Sequence, residues 1–392
     1  MARRHFRPKQ LRAQPRAEPR RVLHVVASLV RAGIEVWLLN VMRATGRAHR
    51  PMDFLVLTDQ PGECEDEVRA LGGRVMPCPH PRRPWLVARR FREVLRTQGP
   101  YAVVHSHVHH YSGFLMRLAA REGVPVRVAH SHNDTRAFEA SRPWPREFYL
   151  TLMKHWIRSH ATHRIAVSRE SAEDLFGASW EADENCHIIR CGVDFAPFAV
   201  VGDRRKVLAE LGLPADALVI GHVGRFHPRK NHAFLLEIAA EAFAREPLAR
   251  LLCLGDGPLM HEIRGKAIAM GIADRILFAG SRTDVPLLMT TVMDVFVLPS
   301  HHEGLSLATL EAQAAGLPCV LADGLTREGD VLAPLMHRVS LEAPAEKWAE
   351  CLLQVAGRAT LRQESALEAM SGSEFSVEDT TAQLCRIYDG LA

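Results

Sequence analysis

Residues 295–322 read VFVLPSHHEGLSLATLEAQAAGLPCVLA. Val295–Leu298 is a continuous apolar run, the composition of a parallel strand buried on both faces. A polar loop follows, and Ser306 stands where a helix N-cap belongs, just ahead of the helical pattern Leu307–Ala315. Gly316 and Pro318 stop that helix, and Cys319–Ala322 is a second apolar run. Strand, helix and strand in this order form one βαβ unit, whose strands lie parallel with the helix covering one face.

The same alternation extends upstream. Leu218–Val223, Arg250–Leu254 and Ile276–Ala279 read as strands, separated by helical patterns at Phe234–Phe243, Leu259–Met270 and Val285–Thr290. Arg204–Leu211 opens this unit as a helix stopped by Gly212 and Pro214, and Ala345–Val355 and Ser376–Tyr388 close it as helices. An earlier unit carries strands at Val22–Ala27, Phe54–Leu57, Arg74–Met76, Ala102–His105, Val126–Ala129, Arg164–Val167 and His187–Ile189. Its helices fall at Glu35–Ala44, Cys64–Leu71, Pro84–Gln98, Gly113–Arg121, Trp144–His160 and Arg169–Phe176, the last capped by Ser168. Cys191–Asp194 turns the chain and Phe195–Asp203 reads as a linker. The fold class is therefore α/β: two Rossmann-like units with parallel sheets, over residues 22–197 and 198–373, with a last helical segment at 374–392.

Composition agrees. The 392 residues are 47% hydrophobic and 24% charged, an ordinary globular balance, long enough for two cores. The net charge of +4 is concentrated at the start, where residues 1–21 hold Arg3, Arg4, Arg7, Lys9, Arg12, Arg16, Arg20 and Arg21 against Glu18 alone. With its prolines and no apolar run, this tail is expected to be disordered, either merely solvated or touching anionic lipid headgroups. The rest of the chain is near neutral, which excludes a dedicated nucleic-acid binder. The eight cysteines form no CxxC pair and several sit in apolar runs, as reduced core residues of a cytoplasmic protein do. No signal peptide and no stretch of about 18 apolar residues is read, so no spanning helix is expected.

Candidate chemistry gathers behind the strands of the second unit, where open parallel sheets bind ligands. Val223-Gly224-Arg225 leads to Lys230-Asn231. Gly224 lets the backbone approach a ligand, Arg225 offers a planar fork for phosphate oxygens and Lys230 a point charge. Two such cations would offset the charge growing on a diphosphate leaving group, although a solvated basic loop has the same composition. Gly255-Asp256-Gly257 permits a tight turn beside a ligand. The backbone near Ser281 and the Arg282 side chain would edge a nucleobase or belong to a plain loop. In the opening segment, Glu303 lies in the loop, Gly304 permits the turn, and Leu305-Ser306 opens a helix N-terminus suited to phosphate. Glu303 and Glu311 are then placed to take sugar hydroxyls, from a hexose and a ribose; the bland alternative is a capped helix with one surface and one core-edge glutamate.

Glu303 and Glu311, seven residues apart and followed by Ala312–Pro318, resemble the E-x7-E motif of the family-4 retaining glycosyltransferases. Val223-Gly224-Arg225 with Lys230-Asn231 resembles that family's diphosphate loop, and Leu254–Pro258 also matches its pattern. Leu23–Val26 followed by Arg31–Glu35 is similar to the family's first strand and glycine-rich loop, with Ala32-Gly33 where two glycines are usual. Val103–His107 through Ser112-Gly113, and Arg127–Asn133, look like the branch that makes exopolysaccharide and capsule. The resemblance implies the GT-B fold, two Rossmann-like domains facing across a cleft. The first domain would take the acceptor and the second the nucleotide sugar, with the last helix crossing back onto the first. It implies a nucleotide-sugar donor of the UDP class and a carbohydrate or lipid-linked acceptor. No metal and no other cofactor are implied, and the place implied is cytoplasmic, with peripheral contact at the inner face of the membrane. It further implies that Arg225 and Lys230 stabilise the departing diphosphate, that Glu303 orients the sugar, that Glu311 holds the ribose and that His107 lies near the reacting carbon. Gly33, Gly224, Gly255, Asp256, Arg282, Gly304, Leu305 and Ser306 complete the expected donor site.

Three rival readings remain at this level. A nucleotide-sugar epimerase of the same fold would act without acceptor. A silent scaffold of a polysaccharide assembly complex would not turn over at all. His105, His107, His109 and His110, with His130 and His132, have the H-x-H spacing of metal sites, but no matching carboxylate set accompanies them. The aromatic residues of Trp144–His160, among them Phe148, Tyr149 and Trp156, read as core or as a stripe resting on a bilayer.

Overall fold

The computed structural model describes residues 21–46, 50–79, 82–133, 135–136, 144–357 and 361–390. The expected basic tail, apart from Arg21, lies outside the described residues. Among the described residues thirteen strands form two wholly parallel sheets. The first has β1 (Val22–Val26), β2 (Met52–Val56), β3 (Val75–Pro77), β4 (Val103–Ser106), β5 (Val126–Ser131), β6 (His163–Ala166) and β7 (Cys186–Ile188), in the order β3-β2-β1-β4-β5-β6-β7. The second has β8 (Leu218–Val223), β9 (Ala249–Leu254), β10 (Ile276–Phe278), β11 (Val295–Leu298), β12 (Cys319–Ala322) and β13 (Met336–Val339), in the order β10-β9-β8-β11-β12-β13. Each order reverses once, between β1 and β4 and between β8 and β11. A sheet opens a crevice beyond its strand ends at such a reversal.

Strand alternation decides what each face carries. In the first sheet Leu23, Val25 and Val104 pack with Phe91, Leu115 and Met116 on one side. Val22, Val26, Val103 and Val128 pack on the other with Trp37, Leu38 and, from the last helix, Leu384, Ile387 and Tyr388. That helix, Val377–Asp389, is capped by Ser376 and lies against the helix Gly33–Thr45 of the first domain. The chain crosses between domains twice, side by side: Val193 N donates to Phe375 O at 2.8 Å and Val377 N to Val193 O at 2.9 Å. Gly192 is required there, because a β-carbon would fall 2.3 Å from Thr380 Oγ1 and 2.6 Å from Ser376 O.

Helix Trp144–His160 divides its aromatic stripe. Met153 and Ile157 are buried, Trp156 lies under the Arg117 guanidinium at 4.4 Å, and Phe148 is 69% exposed. All eight cysteines are free. Among the described residues no helix is long and apolar enough to cross a membrane.

Candidate active site

The two reversal points supply the loops that face each other. Behind β8, Gly224 N is held by Leu254 O at 2.9 Å and Phe226 N by Asp256 O at 2.9 Å, so the loops after β8 and β9 are laced together. Gly255 makes this possible: it sits at φ 131°, and a β-carbon there would lie 2.2 Å from Gly224 O. The loop then closes in a 3-10 turn, Pro228–Lys230, with Asn231 left-handed at φ 53°. Arg229 O accepts from His301 N at 2.9 Å, which ties this loop to the one after β11.

The tie brings Lys230 to Glu303. Their charged atoms are 2.7 Å apart, and the side chains are only 15% and 10% exposed. Arg225 is exposed and, among the described residues, makes no ion pair or hydrogen bond. Ser306 caps the helix Leu307–Ala314, its side chain accepting from Thr309 N. Glu311, on that helix, keeps partial exposure, yet protein surrounds its carboxyl and burial pushes its pKa up to about 7. Asp256 is exposed, with its carboxylate accepting from Gly257 N at 2.6 Å. Arg282 is held by a bidentate pair with Asp284, at 2.7 and 2.6 Å, which fixes its guanidinium on the loop after β10.

The first domain comes close from the other side. The α-carbon face of Gly33 points at Leu307, where a β-carbon would meet Leu307 Cδ1 at 3.6 Å, and that of Gly304 points at His132 O, at 3.7 Å. Glu35, in the first turn after Gly33, is buried. Burial pushes its carboxyl up to about 7, against the pull of its own backbone amide and of the Arg225 charge across the cleft. In the sequence Glu35 reads as the end of the glycine-rich loop and the start of the helix that follows it, with no site role. Its position two residues after Gly33 was the available signal, and only the closed cleft shows that it faces Arg225.

His107 stands just beyond β4 at the reversal point of the first sheet. It is 8% exposed, and both ring nitrogens are engaged: Nε2 with His24 Nδ1 at 3.0 Å and Nδ1 with His132 Nε2 at 2.9 Å. Burial, with the neighbouring imidazoles, holds its pKa well below the ordinary value, so the ring is neutral.

Comparison with known proteins agrees with this geometry. The family models described as Glycosyl transferase 4-like domain and Glycosyl transferases group 1 match residues 18–192 and 217–357. A two-domain parallel α/β chain with this cleft is a glycosyltransferase of the GT-B fold. The chain belongs to the family-4 glycosyltransferases. It is 35% identical to the putative glycosyltransferase EpsF of Bacillus subtilis (strain 168), over 94% of this chain and 96% of that one. It is 33% identical to the UDP-Gal:alpha-D-GlcNAc-diphosphoundecaprenol alpha-1,3-galactosyltransferase of Escherichia coli, over 57% of this chain and 58% of that one. The Anabaena Alr3699/HepE structure in complex with UDP and glucose shares the fold, with a TM-score of 0.76 and 18% identity over 95% of this chain and 100% of that one.

Proposed function

We propose that the chain transfers a sugar, with retention of configuration, from a UDP-sugar to a carbohydrate or lipid-linked acceptor in exopolysaccharide or capsule synthesis. The observation that carries this reading is the meeting of Lys230, Glu303 and the N-terminus of helix Leu307–Ala314 at one crevice, with Arg225 on the loop beside them. The UDP and glucose of the Anabaena structure support the donor class, and the undecaprenol-linked substrate of the Escherichia coli relative supports a lipid-linked acceptor. In this proposal residues 22–197 and the returning segment 374–392 serve the acceptor, and residues 198–373 hold the nucleotide sugar.

The chemistry follows from the charges. As the bond from the sugar's anomeric carbon to the diphosphate oxygen breaks, negative charge grows on the phosphate. Arg225 and Lys230 stabilise it in place, so the leaving group needs no divalent ion. Lys230 and Glu303 pair with each other here, and a diphosphate-sugar offers each a new partner, phosphate for Lys230 and a sugar hydroxyl for Glu303. The amides of Gly304, Leu305 and Ser306 turn toward phosphate, Glu311 accepts from the ribose, and Gly33, Gly224, Gly255, Asp256 and Arg282 shape the walls. The acceptor oxygen bonds to the anomeric carbon on the face the diphosphate leaves, and its proton passes to the departing phosphate. His107, neutral and bound on both nitrogens, positions the reacting end of the sugar rather than deprotonating the acceptor. The chain would work in the cytoplasm, meeting lipid-linked acceptors at the inner membrane face.

Calorimetry with UDP, and product analysis with a panel of UDP-sugars with and without acceptor, tests this reading. UDP should bind, Glu311→Ala should chiefly weaken that binding, and product should require acceptor. Failure to bind any nucleotide diphosphate overturns the assignment, and conversion of donor alone would make the chain an epimerase.

A further inference from the structure

Glu35 is a carboxyl at the meeting of the two domains with no partner of opposite charge in contact. It lies in the first turn of helix Gly33–Thr45 and is 8% exposed, and among the described residues it makes no ion pair. Buried glutamates are rare unless paired. No side chain caps this helix, since Ala32 stands at the N-cap. A β-carbon on Gly33 would meet Leu307 Cδ1 at 3.6 Å, so the turn that carries Glu35 abuts the start of helix Leu307–Ala314 across the cleft. Arg225, on the loop after β8, is the cation whose charge reaches the Glu35 carboxyl.

The other groups around it are neutral or matched. Cys64, at the head of helix Glu65–Ala70, and Cys191, in the turn after β7, stand beside the carboxyl, and burial pushes both thiols up. Arg31 is engaged by Glu67 at 3.0 Å, and Glu63 accepts from its backbone N at 3.2 Å. Beneath the helix, His24, His105, His107, His130 and His132 form a buried cluster on the sheet face that Trp37 covers, held uncharged by burial. The last helix, packed along Gly33–Thr45, brings Tyr388, whose phenol meets His105 Nδ1 at 2.6 Å, while its Glu378 and Asp379 are exposed. Across the cleft Lys230 and Glu303 hold each other.

We propose that Glu35 belongs to the donor site as the counterweight to Arg225, taking up a proton from solvent when a nucleoside diphosphate binds and releasing it when the nucleotide leaves. The inference rests on the donor site proposed above, which places the diphosphate beside Arg225. In the empty cleft an ionised Glu35 draws on the Arg225 charge. A diphosphate takes that charge for itself and brings its own negative charges to the same space. Like charges that share one cation disfavour each other's ionised forms, and the carboxyl is the group able to protonate. The neutral acid then has an O–H to donate toward a phosphate oxygen, which a carboxylate lacks. No covalent bond between heavy atoms changes: one proton moves from water to a Glu35 oxygen. The step is small near neutrality, because burial already holds the carboxyl at about 7 in the empty cleft. Binding favours the protonated form, so this group makes nucleotide affinity fall as pH rises above 7.

Glu311 acts against it. As an acceptor for ribose hydroxyls it is better ionised, so nucleotide binding should drive its proton off, and it too is raised to about 7. The two exchanges cancel in part in the wild type, and variants separate them.

UDP titrated calorimetrically at pH 8, where free UDP is fully ionised, in two buffers of different ionisation enthalpy counts the protons exchanged. Glu311→Gln, in which Glu35 titrates alone, should take up about half a proton or more per UDP bound. Glu35→Gln, neutral at every pH, should bind UDP about 10-fold more tightly than wild type at pH 8 and equally at pH 6. Glu93→Gln, an exposed control on the same domain, should match the wild type at both. The Glu311→Gln proton count decides the matter if Glu35→Gln does not fold. Equal affinities of wild type and Glu35→Gln at pH 8 overturn the inference, as does a Glu311→Gln protein that binds UDP without proton uptake. A wild type that binds no UDP overturns the donor assignment itself, and this inference with it.

Discussion

Lys230 carries two duties that can be separated by experiment. It neutralises Glu303, which is 10% exposed, and in the proposed reaction it neutralises the leaving phosphate. Lys230→Ala alone leaves the Glu303 carboxylate shielded and unpaired, which should cost about 1–2 kcal/mol of stability, less than a fully buried pair because both groups retain some water. The double variant Lys230→Ala/Glu303→Ala should regain most of that loss, read as the urea midpoint. Turnover should not return with it: kcat should stay at least about 100-fold down, as when one oriented charge or donor is removed from a transition state. Recovery of turnover in the double variant would mean that Lys230 serves the fold only. Glu311 offers a second separation, by pH. Its carboxyl is raised from the ordinary 4.5 to about 7 by burial. Between those values the folded chain keeps a proton that the unfolded chain has released, so this group's contribution to stability falls as pH rises through the window. Glu311→Gln should therefore melt higher than wild type at pH 8 and level with it near pH 4.5, by on the order of 1 kcal/mol after allowance for its partial exposure. Equal melting temperatures at pH 8 would show that the cleft solvates the carboxylate.

The element that positions Arg225 is a pair of loops held in contact by one glycine. At Gly255 the backbone sits at φ 131° and Gly224 O would lie 2.2 Å from a β-carbon. Gly255→Ala must either strain the backbone, at about 1–3 kcal/mol, or part the loops after β8 and β9. Parting them breaks the Gly224–Leu254 and Phe226–Asp256 hydrogen bonds and moves Arg225. UDP affinity should fall about 10-fold or more while helix content by circular dichroism is unchanged; unchanged affinity would mean that the loop is not part of the donor site. Elements like these were legible in the sequence because their signals are local. Strands Leu218–Val223, Val295–Leu298 and Cys319–Ala322 have the expected bounds: the last two are continuous apolar runs, and the first is an apolar run interrupted only by Gly221 and His222 and ended by Gly224. Ser168 and Ser306 cap the helices expected of them. Strand Met336–Val339 and helix Gln363–Ser371 were not legible. The strand is an edge, half-buried throughout, and its residues Met336, His337, Arg338 and Val339 show neither an apolar run nor alternation. The helix buries only Ala366 and Met370, too few positions to set a period. In the site, the Lys230–Glu303 pair and the Glu35–Arg225 approach depend on loop closure across many residues, which spacing alone does not encode. The histidine cluster was visible as H-x-H pairs, but its convergence with His24 needed the register that sets His24 opposite His105.

At the scale of the whole molecule, the histidine face sets how the protein meets acid. The first domain encloses His24, His105, His107, His130 and His132, and burial drives each of their pKa values below the ordinary 6.5, to about 3 for His24 and His132. As pH falls through 6.5 the unfolded chain gains a proton at each of these positions and the folded chain does not. Stability is therefore fully present above that pH and declines below it, by up to about 1.4 kcal/mol per pH unit for each histidine. Glu35 and Glu311 act in the opposite sense between 4.5 and about 7, because there the folded chain holds the extra proton. Two carboxyls offset two of the five imidazoles, while His110, His222 and His232, also lowered by burial, add to the acid sensitivity. The net slope is several kcal/mol per pH unit, against a total stability on the order of 5–15 kcal/mol for a domain. The protein should thus unfold cooperatively between about pH 6 and pH 4.5, the range set by these opposing titrations. A pH titration by circular dichroism with urea midpoints at pH 7.5 and 5.5 measures it, and His130→Phe should flatten the slope by the share of one proton. A chain with the same urea midpoint at both pH values would mean that the imidazoles charge in place, which requires water or a counter-charge to reach the sheet face that Trp37 and the C-terminal helix cover.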